Sequence, residues 1–299
     1  MTEAQILFGK PIADKVKAEV RESVGALLAR GIAPGLAVIL VGDDRASQIY
    51  VRNKGRACQE VGIAVFDHVL PGTTTQQELV ALVESLNADP KVHGVLLQLP
   101  LPAPLDAENI LRALDPTKDV DGLCEENIGR LWLGRPRFVP CTPLGVMRLL
   151  SEANIPLRGS LAVIVGRSML VGKPMAALLL AADATVTLCH TKTAELSKHI
   201  ASADLVVTAI GKPRAIPGAA IKPGATVIDV GINRLETGEI VGDIEFSAAK
   251  ERASAITPVP GGVGLLTVAM LLQNTVLAAH LAHNLLPGHT KPFTHRGSP

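Results

Sequence analysis

Short runs of apolar, β-branched residues alternate with stretches of helical periodicity along most of this chain, and that alternation restricts its fold more than any other feature. The runs predict strands at 36–41, 63–70, 94–99, 161–165, 184–189, 204–210 and 225–230. The runs at 36–41 and 161–165 are continuously apolar, as expected of strands buried on both faces in a parallel sheet. The stretches between most of them have the apolar spacing of helices. We therefore predict an α/β fold.

A change in character at residues 136–143, where prolines cluster, predicts a domain junction. A chain of 299 residues is long enough for about two domains. The four predicted strands beyond the junction indicate a Rossmann-type, doubly wound parallel sheet. We predict two α/β domains with a cleft between them. They would comprise residues 1–139 plus 268–299, and residues 140–267.

One C-terminal stretch, residues 264–286, is apolar enough to require comparison with a membrane span. It contains several amide and imidazole side chains, lacks basic flanks, and places its apolar residues at helical spacing. We predict a long, largely buried helix, followed by a frayed tail at 287–299.

Composition excludes several classes of partner. The formal net charge is +1 and only 7 residues are aromatic (5 Phe, 1 Trp and 1 Tyr), so neither a nucleic acid nor a membrane surface is expected. The 4 cysteines have neither zinc-site nor disulfide spacing. We predict reduced thiols, no metal and a cytoplasmic location.

A strand, a glycine turn and a helix start follow one another at residues 161–174. Gly166 would let the chain leave the strand in a tight turn, and Gly172 would permit close backbone approach. The helix amides would then face an anion. A plain structural connection remains the alternative, because the full Gly-x-Gly-x-x-Gly pattern is absent.

The strand after this turn predicts NADP rather than NAD. An NAD site usually places a carboxylate there for the ribose 2′-hydroxyl. This strand instead ends in His190 and Thr191, and Arg167 is available for a 2′-phosphate. The alternative is that these are ordinary polar loop residues.

One predicted helix face carries Ser47, Tyr50, Lys54 and Cys58, at steps of three, four and four residues. A lysine beside apolar walls has a depressed pKa and can exchange protons near neutral pH. Tyr50 could stack on a flat ring. The alternative is a solvated lysine that covers a helix–sheet contact.

Polar residues at the carboxyl ends of predicted strands favour the functional reading. Gln98 interrupts an apolar strand, where an amide needs a fixed partner. In the following loop, either Asp119 or Asp121 could accept N–H groups of a ligand, although a simple turn is also possible.

With these motifs in place, the chain resembles the bifunctional methylenetetrahydrofolate dehydrogenase/cyclohydrolase family from about residue 8 to residue 279. The motifs that carry the resemblance are Tyr-Val-Arg-Asn-Lys at 50–54, Gln-Leu-Pro-Leu-Pro at 98–102, Lys-Asp-Val-Asp-Gly at 118–122, Pro-Cys-Thr-Pro at 140–143, Gly-Arg-Ser with Val-Gly at 166–172, Val-Ile-Asp-Val-Gly-Ile-Asn at 227–233, and Ile-Thr-Pro-Val-Pro-Gly-Gly-Val-Gly at 256–264.

The resemblance implies oxidation of 5,10-methylenetetrahydrofolate with NADP⁺, then hydrolysis of the methenyl product to 10-formyltetrahydrofolate. It implies that Lys54 handles the proton of water, Gln98 tunes Lys54, Tyr50 stacks on the folate and Asp121 holds the pterin's amino edge. The expected substrate-binding residues are Ser47, Tyr50, Lys54, Gln98, Leu99, Asp121, Pro260 and Gly264. The expected cofactor-binding residues are Gly166, Arg167, Ser168, Gly172, His190, Thr191 and Ile232. A homodimer is expected from the resemblance alone.

Three segments of the sequence depart from the family's common pattern. Leu123 and Cys124 stand where Phe and His are common, Thr191 replaces Ser, and Leu265–Leu266 replaces Pro-Met. None of these changes removes a proton-transfer group. Two other functions remain open at this point: a monofunctional dehydrogenase, and an NADP-binding protein without turnover.

Overall fold

A computed structural model of the chain describes residues 3–285, which form two compact units. One unit comprises Lys15–Cys141 and residues 268–285, and we call it the lysine unit because it holds Lys54. The other comprises residues 3–14 and Thr142–Thr267, and we call it the glycine-turn unit. The boundary at Cys141 falls within the predicted junction. The predicted tail at 287–299 lies outside the described residues.

A three-stranded parallel sheet forms the centre of the lysine unit, in the order β3-β2-β4. The strands are β2 (Gly35–Val41), β3 (Ala64–Leu70) and β4 (Gly94–Leu97). The helices are α2 (Arg45–Val61), α3 (Gln76–Ala88), α4 (Ala107–Ala113) and α5 (Glu125–Trp132), and most of α1 (Gly9–Leu28) also belongs here. These bounds confirm the strands predicted at 36–41 and 63–70, and β4 ends two residues earlier than predicted.

Within the described residues, a six-stranded parallel sheet forms the centre of the glycine-turn unit, in the order β1-β11-β8-β7-β5-β6. Its strands are β1 (Gln5–Ile6), β5 (Leu161–Val165), β6 (Thr185–Cys189), β7 (Leu205–Thr208), β8 (Thr226–Asp229) and β11 (Ala255–Ile256). Between β8 and β11 the chain forms an antiparallel hairpin of β9 (Asn233–Arg234) and β10 (Ile240–Val241). The Rossmann-type parallel sheet is confirmed.

The chain order within this sheet creates a switch point. From β5 the chain moves to β6 on one side and then returns to β7 on the other. Ligands of open α/β sheets bind where the strand order reverses in this way, beyond the carboxyl ends of the strands. The helices of this unit are α6 (Cys141–Glu152), α7 (Gly172–Ala181), α8 (Leu196–Ser202) and α9 (Phe246–Lys250).

The N-terminal strand differs from expectation. Residues 1–139 were assigned to the first domain, but β1 pairs with β11 at the edge of the glycine-turn unit's sheet. Ala4 is buried in the core of that sheet, together with Val227 and Ile256. A two-residue strand has too few side chains to reveal its partner by periodicity, so this pairing depends on tertiary contacts.

The last helix, α10 (Gly264–Ala282), matches the predicted long apolar helix. Among residues 3–285, it is the one helix that is long and apolar enough to cross a membrane, judged by length and composition alone. Within the protein, however, 61% of its most apolar 18-residue segment is buried. The prediction of a largely buried helix is therefore confirmed.

Candidate active site

Lys54 lies on α2, a helix that has a capping residue at each end. The Asp44 carboxylate accepts a hydrogen bond from the Ser47 amide at 2.7 Å, and Gly62 ends the helix in the left-handed conformation with φ of 85°. These groups satisfy backbone atoms that the helix ends would otherwise leave without partners. Cys58 is fully buried on the same face, while Tyr50 is 39% exposed.

Gln98, directly after β4, is the hydrogen-bond partner of Lys54. The lysine Nζ donates to Gln98 Oε1 at 2.9 Å, and Gln98 Nε2 donates to the carbonyl of Leu99 at 2.8 Å. The second bond fixes the orientation of the amide, so that its oxygen faces the lysine. Gln98 thus has the fixed partner that its place in an apolar run predicts.

Burial lowers the pKa of Lys54 below its ordinary value, while the Asp121 carboxylate acts in the opposite direction. Cys141 and Cys58 would raise this pKa only as thiolates. Burial raises the pKa of Cys58 to about 12 and that of Cys141 well above its usual value, so both stay neutral near pH 7. The environment therefore favours a neutral Lys54 amine, which can accept a proton.

The structure distinguishes between Asp119 and Asp121, the two acids of the 117–122 loop. Asp119 is 1% exposed and accepts hydrogen bonds from the Cys124 amide at 2.8 Å and from Asn127 Nδ2 at 2.9 Å. Asp121 is only partly buried and accepts one bond from the Cys141 amide, at 3.4 Å. Asp119 thus stabilises the loop, and Asp121 retains acceptor capacity for a ligand.

The loop that carries Asp121 is held by a residue that sequence reasoning did not assign. Asn274 on α10 is buried, and its Nδ2 donates to the carbonyls of Val120 at 2.8 Å and Val139 at 3.0 Å. Gly122 makes the turn with φ of 66°, and a Cβ there would lie 3.1 Å from the backbone of Val139. A buried amide in an apolar helix was the available signal for Asn274.

In the glycine-turn unit, the two glycines that were predicted to shape the turn do so by close backbone contact. Gly166 has φ of 127°, and a Cβ there would lie 2.2 Å from the carbonyl oxygen of Ala209. A Cβ at Gly172 would lie 1.9 Å from the carbonyl oxygen of Gly166. Ser168 Oγ accepts the Val171 amide at 3.1 Å where α7 begins. Neither position could therefore hold a side chain unless the backbone of the turn moved.

A cavity of about 440 Å³ lies at the switch point of this sheet. The residues that line it come mainly from the loops after β5, β6 and β7, and they include Gly166, Arg167, His190, Thr191, Ile210 and Lys212. Lys212 was not predicted; it adds a second cation to a lining that already has Arg167. The glycine turn, the cations and the volume together fit a phosphorylated dinucleotide.

The remaining predicted site residues differ in their burial and in the unit that holds them. Ser47 is buried in the lysine unit, and Leu99 is partly buried there. Pro260 and Gly264 are exposed in the glycine-turn unit, and a Cβ at Gly264 would lie 3.4 Å from Ile232 Cδ1. The predicted folate residues thus fall in both units, whereas all the predicted cofactor residues fall in the glycine-turn unit.

The departures from the family pattern lie in different environments. Leu266 is fully buried and Leu265 is 46% exposed. Cys124 is buried, and its amide donates to Asp119.

All four cysteines are free and buried, as the prediction of reduced thiols requires. Residues 3–285 contain no group of three His, Cys, Asp or Glu side chains placed to hold a metal ion.

Comparison with known families covers almost the whole chain. The profile of the tetrahydrofolate dehydrogenase/cyclohydrolase catalytic domain matches residues 7–121. The profile of the tetrahydrofolate dehydrogenase/cyclohydrolase NAD(P)-binding domain matches residues 140–283.

Curated relatives agree with these profiles. The chain is 55% identical over 274 residues to bifunctional protein FolD 2 of Geobacter metallireducens, covering 92% of this chain and 96% of that protein. It is 55% identical over 276 residues to bifunctional protein FolD of Moorella thermoacetica, covering 92% and 99%.

Solved structures show the same relationship. The bifunctional FolD methylenetetrahydrofolate dehydrogenase/cyclohydrolase of Campylobacter jejuni matches with a TM-score of 0.92 and 49% identity over 93% of this chain and 99% of that one. The Trypanosoma brucei FolD, solved in complex with NADP and an inhibitor, matches with a TM-score of 0.91 and 39% identity over 95% and 99%. This chain therefore belongs to the tetrahydrofolate dehydrogenase/cyclohydrolase family.

Proposed function

We propose that this protein catalyses two successive reactions: NADP-dependent oxidation of 5,10-methylenetetrahydrofolate to the methenyl cation, and hydrolysis of that cation to 10-formyltetrahydrofolate. The observation that carries the proposal is the hydrogen bond from Lys54 Nζ to Gln98 Oε1, made by a lysine whose pKa is lowered by burial. Membership of the family and relatives named as bifunctional at 55% identity support both activities.

The first reaction places few chemical demands on the protein. Loss of hydride from the methylene bridge leaves a cation that is delocalised over two nitrogens, so no side chain has to remove a proton. When bound, NADP⁺ accepts the hydride. The protein contributes orientation: Tyr50 would stack on the folate, and Asp121 would accept hydrogen bonds from the amino edge of the pterin.

The second reaction needs a proton acceptor. Water adds to the methenyl carbon, and its proton passes to the neutral Nζ of Lys54. The bond from that carbon to N5 then breaks, the new hydroxyl proton goes to N5, and the carbon remains on N10 as a formyl group. A base with a pKa nearer to neutrality is best suited to this transfer, and burial moves the pKa of Lys54 in that direction. Gln98 holds the nitrogen in place through its hydrogen bond.

Replacing Gln98 with Glu should move the pH profile of hydrolysis upwards. A carboxylate at this position would stabilise the ammonium form of Lys54, and its pKa would rise from its lowered value toward or above the ordinary 10.5. The rising limb of the rate would then shift by roughly one pH unit or more, and the rate near neutral pH would fall. The measurement is the rate of methenyl decay against pH, corrected for the uncatalysed reaction.

The matched control for that variant is Gln59→Glu, which adds the same charge at an exposed position of α2. Its pH profile should coincide with that of the wild type. An unchanged profile for Gln98→Glu would show that the Lys54 amine does not determine the rate.

Arg167 would select NADP over NAD through the 2′-phosphate. It lines the cavity after β5, and the strand end at His190 and Thr191 provides no carboxylate. The Arg167→Met variant should lower kcat/KM for NADP⁺ roughly 10- to 100-fold, the effect of losing a hydrogen-bonded charge, and change that for NAD⁺ about threefold or less. Arg158→Met, at a highly exposed position in the same unit, is the control. Equal efficiency of the wild type with both cofactors would contradict this preference.

The domain roles follow from the same proposal. Residues 142–267 would bind the cofactor, with Gly166, Ser168 and Gly172 at its phosphates and Ile232 nearby. Residues 15–141 and 268–285 would form the folate domain. The proposed substrate-binding residues are Ser47, Tyr50, Lys54, Gln98, Leu99, Asp121, Pro260 and Gly264.

We further propose that the enzyme is a cytoplasmic homodimer that binds neither nucleic acid nor membrane. Its product would supply one-carbon units for purine and amino-acid biosynthesis. The balanced charge, the reduced thiols and the resemblance to the family support these points.

The proposed function is tested with substrate that is deuterated at the methylene bridge. Deuterium should appear in NADPH, and 10-formyltetrahydrofolate should form in equal amount. Deuterium transfer with the methenyl product persisting would indicate a monofunctional dehydrogenase. No transfer would leave only a cofactor-binding protein.

A further inference from the structure

Two aspartates with no role in the proposed reactions are buried next to the cofactor cavity. Asp229 ends β8 and is 4% exposed, while Asp243 follows β10 and is 0% exposed. Burying two carboxylates beside each other costs free energy, and burial together with the Asp243 charge raises the pKa of Asp229 to about 6. Such an arrangement is expected where the carboxylates have a task.

Asp243 binds the loop that follows β7. Its Oδ2 accepts hydrogen bonds from the amides of Ile210 at 2.7 Å and Gly211 at 3.3 Å. Its Oδ1 accepts the amide of Lys212 at 2.9 Å and Asn233 Nδ2 at 3.0 Å. One side chain thus fixes three successive amides of a loop whose residues Ile210 and Lys212 line the cavity.

Asp229 fixes Asp243 in turn. Its Oδ1 accepts the amides of Gly231 at 2.9 Å and Asp243 at 3.0 Å and the hydroxyl of Thr208 at 3.2 Å, and its Oδ2 accepts the amide of Ile244 at 2.9 Å. The two carboxylates therefore connect the loops that leave β7 and β8 to the segment after β10.

The packing leaves these carboxylates no room to move. A Cβ at Gly231 would lie 2.3 Å from Asp243 Cγ, and a Cβ at Gly242 would lie 2.0 Å from Asp229 Oδ2. Because an ionised carboxylate only accepts hydrogen bonds, it matches a ring of amide donors that a neutral amide could satisfy only in part.

We propose that Asp243, held by Asp229, is a positioning residue for the cofactor: it keeps the loop after β7, whose residues Ile210 and Lys212 line the cavity, in the conformation that shapes the NADP site. This inference rests on the proposed cofactor. A displacement of about 1 Å in a binding loop can cost roughly 100-fold in binding or rate, so the effect of losing this carboxylate should be large.

The test is the Asp243→Asn variant, in which an NH₂ group would face amide donors. The dissociation constant of NADPH, measured by its fluorescence, should rise roughly 10- to 100-fold. The KM for NADP⁺ should rise in parallel. Hydrolysis of added methenyltetrahydrofolate, which transfers no hydride, should stay within about twofold of the wild type, and a loss of overall folding would not give this split.

Two further variants complete the experiment. Asp204→Asn removes a carboxylate that accepts the Leu161 amide at 2.9 Å at the opposite end of β7, and it should leave NADPH binding unchanged. Asn233→Ala removes a single donor to Asp243 and carries the test if Asp243→Asn does not fold; its dissociation constant should rise by several-fold.

Unchanged NADPH affinity in folded Asp243→Asn, or in Asn233→Ala if Asp243→Asn does not fold, would overturn the inference. An equal loss of oxidation and hydrolysis without a change in NADPH affinity would also overturn it. Failure of the wild type to bind NADPH would instead contradict the proposed function, so the two failures are distinguishable.

Discussion

Replacing Lys54 with Met should abolish most of the hydrolysis of methenyltetrahydrofolate, lowering kcat by roughly 100- to 10,000-fold. Methionine nearly preserves the length and apolar stem of the side chain but cannot accept a proton or bind Gln98. Oxidation of methylenetetrahydrofolate should fall much less, by about tenfold or less, because loss of hydride requires no base. The two rates are measured separately, from methenyl decay and from NADPH formation.

The matched control for this variant is Arg56→Met, which removes an exposed cation from the same helix. It should leave both rates close to those of the wild type. If Lys54→Met retained full hydrolysis while binding folate normally, another group would be the proton acceptor and the assignment of Lys54 would be wrong.

Replacing Gly172 with Ala should weaken NADPH binding by about 100-fold or more. The new Cβ would lie 1.9 Å from the carbonyl oxygen of Gly166, and real atoms cannot approach so closely. Either the turn or the start of α7 must therefore move, and the amides that face the phosphates move with them. NADPH fluorescence titration gives the affinity, and hydrolysis of added methenyltetrahydrofolate reports whether the lysine unit remains active.

Gly25→Ala serves as the control, because nothing lies within 4 Å of a Cβ at that position of α1. It should leave NADPH affinity unchanged and stabilise the helix by about 1 kcal/mol. Wild-type affinity in a folded Gly172→Ala variant would mean that the cofactor does not depend on this turn.

Elements with strong local signals could be predicted from the sequence. The continuously apolar strands at 36–41 and 161–165 were predicted to within one residue, because short runs rich in β-branched residues are typical of strands buried on both faces. Gln98 was recognised because an amide in an apolar run must have a partner, and it has one in Lys54. Gly166 and Gly172 were recognised because a strand–turn–helix connection requires close backbone approach there.

Features that depend on contacts between distant residues could not be predicted. Asp119 and Asp121 are two residues apart, and only the bonds from Cys124 and Asn127 show that Asp119 serves the loop. Asp243 lies more than thirty residues beyond the loop it fixes. Periodicity describes neighbours along the chain and does not identify such partners.

In the proposed function one chain performs both reactions, with Lys54 as the proton acceptor of the second. Stopped-flow absorbance, with methylenetetrahydrofolate and NADP⁺ mixed with the enzyme, follows the methenyl product directly. We predict that this absorbance rises and then decays in the wild type, and rises without a matching enzymatic decay in Lys54→Met. Identical decay in both proteins would contradict the role of Lys54, and no rise in the wild type would contradict the proposed oxidation.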